Sequence, residues 1–407
     1  MHAHSRSFQP FASPQLEDPH TFLTDARREQ PVFFSEVLQS WVVTRYEDIY
    51  SILQDARRFS SVGNIAVALE RMSPEVRSLL EAGSYRDPPL VNDDPPVHSH
   101  WRSLFNKLFS GQTIAALEPF IRATCEELVQ GFLHEGRADL MSRFAYPLPM
   151  RVILAWMGIP QEMMDQIKKW SDAWILLLFA QLTPEQQLAC AQQTVQLQRY
   201  IAGLISERLA HPREDGMSML ATRLMDGVRP EPEELAGMVA GTLVAGNETT
   251  TSMLGFMMRL LLEQPERWRQ VREEPHLIPR AVEEVLRLES PFLGLTRMTT
   301  EAVKVGGVQL PAGARLLVCF ASGNRDAARF AEPERYEPLR QNVQQHLAFG
   351  KGLHVCVGAG LARLEGQVAL QVLTRMLPEP RLVPGEPFTY VPGLLRQHAR
   401  LLVEWNP

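Results

Sequence analysis

The strongest chemical signal lies between Phe349 and Gly358, in the run Phe-Gly-Lys-Gly-Leu-His-Val-Cys-Val-Gly. Cys356 stands near the end of this run, before an apolar-periodic segment that continues to Val372 and predicts a helix. At a helix N-terminus, backbone N–H groups and the positive end of the helix dipole favour a thiolate over a thiol. A thiolate in a glycine-rich loop suits an iron centre. The sequence therefore predicts a metal-binding cysteine at position 356.

A cysteine before a helix also has a simpler interpretation, because an isolated cysteine is most often a small buried hydrophobic residue. The residues around it argue against coincidence, since six defined identities within ten positions occur by chance on the order of once in 10⁶. The glycines allow tight turns and the close approach of a flat ligand. The defined positions are Phe349, Gly350, Gly352, His354, Cys356 and Gly358.

This run resembles the cysteine loop of the cytochrome P-450 family, the haem-thiolate monooxygenases, in which the cysteine is the fifth ligand of the haem iron. Further similarity extends from about Pro31 to the C-terminus. The resemblance implies heme b (iron protoporphyrin IX) as the cofactor and Cys356 as the metal ligand. It also implies that His354 binds a haem propionate. The other loop residues that it places at the cofactor are Phe349, Gly350 and Gly358.

A long helical pattern runs from Pro232 to Gln264 and contains Ala-Gly-Asn-Glu-Thr-Thr at positions 245–250. Glycine costs about 1 kcal/mol relative to alanine in a helix, and a buried carboxylate is unfavourable unless it is paired or used. A segment that breaks local rules in this way indicates a site. By resemblance, Ala245 and Gly246 leave room for dioxygen beside the haem. Thr249 is then expected to donate a hydrogen bond during dioxygen activation, and Glu248 to relay solvent protons.

Basic residues follow two prolines in the run Asp-Asp-Pro-Pro-Val-His-Ser-His-Trp-Arg, which begins at Asp93. His98 and Arg102 are spaced four residues apart and therefore share one face of the predicted helix. Taken alone, this spacing is typical of a solvated basic face. The resemblance instead implies that both side chains bind haem propionates, and that Arg297 does the same.

Glu284 and Arg287 are three residues apart on another predicted helix, a spacing that by itself indicates a surface ion pair worth about 0–1 kcal/mol. The resemblance implies a different role. It joins this pair to Arg335, in the run Pro-Glu-Arg-Tyr that starts at Pro333, as a structural network behind the cysteine loop.

Composition excludes several classes of protein. The 407 residues include 45% hydrophobic and 22% charged residues with a net charge of -6, which is ordinary for a globular protein and argues against a nucleic-acid partner. The four cysteines are widely spaced, which favours a reducing cytoplasm. The N-terminus has no apolar signal region, and the longest apolar run, Ala173 to Ala180, is too short to cross a membrane.

Length alone suggests two or three domains, whereas the resemblance implies one haem domain over residues 1–407. Its fold is expected to be mainly α with a small β lobe, a long central I helix and an L helix after the cysteine loop. The β lobe is expected mainly from residues 31–65, 292–320 and 383–405.

Local patterns also predict individual elements. Helices are predicted at Pro19–Glu29 and Tyr46–Gln54, with a hairpin of two strands between them. The apolar segment Trp170–Leu182 is interpreted either as a lid over a substrate channel or as ordinary core. Short strands are predicted within Ala302–Cys319. Phe388–Pro392 and Leu401–Trp405 are predicted to form a final sheet.

The resemblance implies a monooxygenase that hydroxylates or epoxidises a small hydrophobic molecule with O2. The sequence ends at Pro407, and we expect no flavin or iron-sulfur domain to be attached to it. Electrons are therefore expected from a separate ferredoxin or flavodoxin with an NAD(P)H-dependent reductase. The opening hairpin and the Phe388–Pro392 stretch are nevertheless similar to haem domains fused to a phthalate-dioxygenase-type reductase. Alternatives are a peroxide-driven peroxygenase on the same fold, a non-catalytic haem-binding or gas-sensing protein, and a purely structural helical protein.

The pocket is expected to be mainly apolar, with charges at Glu70, Arg71 and Arg86. The segments expected to line it are 62–90, 170–182, 238–249, 292–296 and 393–395.

Overall fold

The computed structural model describes residues 4–67, 69, 72–179, 182–223 and 230–406. Glu70, Arg71 and the segment 180–181 of the predicted pocket lie outside the described residues. The helices are α1 (His4–Ser7), α2 (Pro19–Glu29), α3 (Tyr46–Gln54), α4 (Pro74–Ala82), α5 (Pro89–Asn92), α6 (Val97–Leu108), α7 (Gly111–Ala115), α8 (Glu118–Gln130), α9 (Pro147–Met157), α10 (Met164–Phe179), α11 (Pro184–Ala210), α12 (Gly216–Ala221), α13 (Pro232–Leu262), α14 (Pro265–Glu273), α15 (Ile278–Leu288), α16 (Phe320–Gly323) and α17 (Ala359–Met376). The strands are β1 (Val32–Ser35), β2 (Ser40–Val43), β3 (Phe59–Ser60), β4 (Arg137–Asp139), β5 (Leu295–Thr299), β6 (Val303–Val305), β7 (Val308–Leu310), β8 (Arg315–Val318), β9 (Arg381–Leu382), β10 (Thr389–Tyr390), β11 (His398–Arg400) and β12 (Leu402–Glu404).

The chain divides into two compact units. Helix α13 contributes residues to both, because the division falls between Asn247 and Glu248. The first unit comprises Met1–Ser61, Ile114–Pro149 and Glu248–Pro407, and the second comprises Val62–Thr113 and Met150–Asn247.

The first unit contains a five-stranded sheet in the order β1-β2-β8-β5-β3, which includes the predicted hairpin. Successive side chains of a strand point to opposite faces, so each strand supplies two layers of core. Val32 and Leu316 pack on one face in a cluster with Ile49 of α3. Phe33 and Leu317 pack on the other face in a cluster with residues of α2. The predicted bounds of helices α2 and α3 are confirmed.

The strands near the C-terminus form two sheets, so the prediction of a single final sheet is wrong. Strand β10 pairs with β11, whereas β12 pairs with β4 and β9. Strand β4 was not among the predicted strands. Such short strands carry little pattern of their own, and their pairing is decided by which backbone lies beside them.

In the second unit, helices α10 and α11 pack against each other. Helix α10 buries Trp174 and Leu177 but leaves Leu176 46% exposed, so much of the apolar segment is core. The Gln198 side chain of α11 accepts a hydrogen bond from the Arg86 backbone N–H at 2.9 Å and donates one to the Arg86 carbonyl at 2.8 Å. This amide therefore fixes the main chain of the segment that contains Arg86.

Helix α13 confirms the long pattern that was predicted from Pro232 to Gln264, since it ends at Leu262. Across the described part of the chain, we find no helix with the length and apolarity that crossing a membrane requires.

Candidate active site

The cysteine loop lies in the first unit, directly before α17. Gly350 and Gly352 have φ angles of +66° and +71°, a region that side-chain-bearing residues rarely adopt. The Cys356 N–H donates to the Phe349 carbonyl at 2.8 Å and the Val355 N–H donates to the Gly352 carbonyl at 3.2 Å. Backbone hydrogen bonds thus close the loop. The positive φ angles of Gly350 and Gly352 agree with the tight turns that the glycine pattern predicted.

The glycines of the loop serve different purposes. A Cβ atom on Gly352 would lie 2.1 Å from the backbone carbonyl oxygen of Leu53 in α3, so this position admits no side chain. Gly358 caps α17 with an ordinary φ of -82°, and its backbone angle does not require glycine. The sequence did not separate these two cases, because the packing against α3 is a tertiary contact.

Cys356 is exposed, whereas Cys125 and Cys319 are completely buried. Burial raises the pKa of the Cys319 thiol to about 12 and raises that of Cys125 further still. The interpretation as a small buried hydrophobic residue therefore fits Cys125 and Cys319 but not Cys356. Cys356 presents its side chain two residues before the N-cap of α17, which is the arrangement expected of a thiolate ligand.

Helix α13 carries the second group of predicted residues. Ala245 and Thr249 are one turn apart and share a helix face, on which Ala245 is exposed and Thr249 half-buried. Asn247 and Glu248 are buried, with exposures of 0% and 4%. A Cβ atom at Gly246 would make only ordinary contact with Ile153, at 3.5 Å, so nearby packing does not exclude a side chain there. The predicted roles of Ala245, Gly246, Glu248 and Thr249 at the cofactor stay predictions.

The predicted cationic residues are distributed over both units. In the first unit, Arg297 lies on β5 with 6% exposure, and His354 is half-buried in the loop. In the second unit, His98 and Arg102 lie on α6, and Arg102 Nε donates to the Asn106 amide oxygen at 2.9 Å. The predicted helix is confirmed, and the propionate-binding roles of the four residues stay predictions.

Glu284 and Arg287 form the predicted pair, but the predicted third partner is wrong. Arg287 donates to both oxygens of Glu284, at 2.7 and 2.8 Å, and both side chains are completely buried. The additional side chain is Arg340, whose Nε donates to Glu284 at 3.2 Å. Arg335 is 62% exposed and pairs with Glu332 at 3.0 Å, because the turn between them directs its side chain away from the network. Only the Arg335 carbonyl takes part, as an acceptor from Arg287 at 3.1 Å.

Replacing Glu284 by glutamine should destabilise the protein by about 3–5 kcal/mol, because two buried guanidinium groups lose their shared charge. Chemical denaturation at neutral pH measures this loss. The matched control is Glu332→Gln in the exposed pair, for which we expect a change within about 0.5 kcal/mol. Equal losses in the two variants would contradict the structural role of Glu284.

Sequence reasoning missed a second network beside this one. Glu283, adjacent to Glu284 on α15, binds Arg363 at 2.6 Å and His346 at 3.1 Å. Two neighbouring carboxylates on a strongly amphipathic helix were the available signal.

Comparison with known proteins shows the family. The cytochrome P450 family model matches residues 39–377. The mycinamicin IV hydroxylase/epoxidase of Micromonospora griseorubida is 36% identical over 372 residues, which cover 90% of this chain and 90% of that protein. The cytochrome P450 CREJ in complex with (4-ethylphenyl) dihydrogen phosphate has a TM-score of 0.93 at 32% identity, covering 99% of this chain and 100% of that one. An intact type IV self-sufficient cytochrome P450 monooxygenase also gives 0.93, at 33% identity, with all of this chain covering 54% of that one.

The chain belongs to the cytochrome P450 family. Members of this family bind heme b, and the named relatives are monooxygenases that act on small organic molecules. The predicted mainly α fold with a small β lobe, the haem cofactor and the monooxygenase class are confirmed. The exposed thiol of Cys356 is a donor of the kind that would hold the haem iron.

Proposed function

We propose that Cys356 is the axial thiolate of a monooxygenase that receives its electrons from a separate ferredoxin or flavodoxin, served by an NAD(P)H-dependent reductase. The observation that carries this proposal is the exposed cysteine in its closed glycine loop before α17. When bound, the haem supplies dioxygen activation and oxidation of an unactivated carbon, by hydroxylation or epoxidation. We further propose that residues 1–407 form one haem domain and that the protein is cytoplasmic.

The residues of the chain hold the cofactor and manage protons. The backbone of Phe349, Gly350 and Gly358 would hold the cofactor in the loop, while Ala245 and Gly246 would leave room for dioxygen. Thr249 would donate a hydrogen bond during dioxygen activation and Glu248 would relay protons from solvent. The cations proposed to bind the propionates are His98, Arg102, Arg297 and His354.

The proposed substrate is a hydrophobic small molecule. The pocket segments predicted above are mainly apolar, and the named relatives act on or bind quite different compounds, among them mycinamicin IV and (4-ethylphenyl) dihydrogen phosphate. Because relatives of comparable sequence identity act on or bind such different compounds, we propose only the class of substrate and not a particular compound.

The function is tested by titrating the purified haem protein with terpenes, fatty acids, aromatics, steroids and macrolides while recording the Soret band. A saturable shift toward high spin with one chemotype, followed by its oxygenation with NAD(P)H and a redox partner, is the expected result. Product formation with peroxide alone, at the same rate as with NAD(P)H, would replace the proposal with a peroxygenase. A normal thiolate spectrum without any shift would point instead to a carrier-bound substrate or to a non-catalytic haem protein.

A basic cluster in the first unit supports an acidic electron donor. Lys351 lies in the cysteine loop, and the Arg363 guanidinium lies 4.5 Å from the centroid of the Phe349 ring in the same loop. Burial is the main reason that the pKa of Lys351 is lowered, and the positive charges of Arg363 and Arg329 add to this effect while Glu283 opposes it. Arg329 and Arg363 are about one-third exposed, at 36% and 34%. Because Glu283 compensates the charge of Arg363, we expect Lys351 and Arg329 to steer an acidic partner toward the cysteine loop.

Lys351→Gln should slow reduction by an acidic ferredoxin about three- to tenfold at low ionic strength, as measured by stopped-flow absorbance. The difference should disappear at about 0.5 M salt, where exposed charges are screened. Lys304→Gln on β6 serves as the control, because it removes an exposed lysine that lies in the β6–β7 strand pair and not in the cysteine loop. A wild-type rate for Lys351→Gln at low salt would reject this docking surface.

A further inference from the structure

The buried carboxylate of Glu283 accepts hydrogen bonds from two side chains. Arg363 Nε donates to one carboxylate oxygen at 2.6 Å and Arg363 Nη2 donates to the other at 3.0 Å. The second oxygen also accepts from His346 at 3.1 Å. Glu283 is 6% exposed, so this two-point contact operates where water screens it poorly.

The tautomer of His346 follows from its neighbours. The Ala348 N–H donates to His346 Nδ1 at 3.2 Å, so that nitrogen is an acceptor. The proton of the neutral ring therefore lies on Nε2 and is donated to Glu283. Burial lowers the pKa of His346 despite the nearby carboxylate, in agreement with a neutral ring. His346 thus contributes a hydrogen bond and no charge.

Glu283 itself carries a charge at neutral pH. Burial opposes its ionisation, but the hydrogen bonds from His346 and Arg363 outweigh burial and lower its pKa to about 2. Glu283 and Arg363 consequently form a compensated pair of opposite charges, one end of which is buried while the other is one-third exposed.

This pair is coupled to the cysteine loop through Phe349. The Arg363 guanidinium lies over the Phe349 ring, 4.5 Å from its centroid, and the His346 ring lies 5.8 Å from the same centroid. The Phe349 carbonyl accepts the hydrogen bond of the Cys356 N–H at 2.8 Å. One residue therefore connects the buried charges with the backbone of the proposed iron ligand.

We propose that Glu283, Arg363 and His346 act as a positioning and charge-compensating triad that sets the reduction potential of the haem iron that Cys356 would bind. The inference rests on the proposed function, because it takes Cys356 as the axial ligand. With Glu283 present, the Arg363 cation is neutralised and is held against Phe349. Loss of the carboxylate leaves a positive charge beside the loop, which favours gain of an electron. Loss of the guanidinium leaves a negative charge, which opposes it.

The test is the midpoint potential of the haem protein, measured by dye-coupled spectroelectrochemistry. Glu283→Gln should move it to a more positive value and Arg363→Gln to a more negative value, each changing the reduced fraction at a fixed dye potential several-fold. The double variant should return close to wild type, because its net charge is unchanged. His346→Gln keeps a donor without charge and should shift the potential less than either single charge variant.

The control is the exposed Glu332–Arg335 pair, in which Glu332→Gln and Arg335→Gln should leave the potential unchanged. Shifts of the same sign for Glu283→Gln and Arg363→Gln, or no shift in either, would overturn the inference. Arg363→Gln removes a partly exposed side chain and keeps the test decisive if the buried variant folds poorly. A wild-type protein without the thiolate spectrum would instead reject the proposed function, so the two failures are distinguishable.

Discussion

Replacing Cys356 by histidine should abolish the thiolate optical signature of the reduced, carbon-monoxide-bound protein, and oxygenation with it. Imidazole is a neutral nitrogen ligand and lacks the electron donation that a thiolate provides. The loop itself should remain intact, because its bends depend on Gly350 and Gly352 and on backbone hydrogen bonds. Absorption spectroscopy of the reduced protein under carbon monoxide measures the change directly.

The matched control is Cys190→Ser in α11, which alters another cysteine that is not fully buried. This variant should keep the thiolate signature and the activity. Cys125 and Cys319 are unsuitable controls, because serine in place of a fully buried thiol introduces a polar group into the core. A retained signature in Cys356→His would remove Cys356 from the axial position.

Thr249→Ala should uncouple the reaction, with a several-fold rise in the peroxide released per NAD(P)H consumed and a matching loss of product. The reason is that the proposed hydroxyl donor on the less buried face of α13 is lost, while cofactor binding is unaffected. Parallel assays of NAD(P)H oxidation, peroxide and product give the coupling ratio. Thr249→Ser keeps the hydroxyl and should restore most of the coupling.

Thr250→Ala provides the control for this prediction, because it removes the same hydroxyl from the next position, where the side chain is 3% exposed. Its coupling should stay near that of the wild type, although some stability is expected to be lost. If Thr249→Ala and Thr250→Ala uncouple equally, a specific role of Thr249 in proton delivery is excluded.

Several features of this protein could be predicted from sequence because their causes are local. Helical periodicity placed α2 and α3 at their observed bounds, and the long apolar pattern located α13 to within two residues at its end. The glycine spacing predicted the tight turns at Gly350 and Gly352, since a positive φ is a property of the residue itself. The spacing of the glycines around Cys356 also indicated the resemblance to the cytochrome P450 family.

Tertiary structure decided the features that depend on distant residues. Glu284 meets Arg340, 56 positions away, and not the predicted Arg335, because burial and turn direction select the partner. Glu283 meets Arg363 across 80 positions, and no local pattern contains that contact.

Contacts between distant segments also decide which cysteines are buried and which strand the last strand pairs with. Cys356 is exposed and Cys319 is buried, although the residues next to each cysteine in the sequence do not predict this difference. Strand β12 pairs with β4, more than 260 residues earlier in the chain. Sequence determined which local conformations and chemical groups are present, and packing determined which of those groups face each other, because charge pairing, burial and strand register are properties of contacts between distant segments.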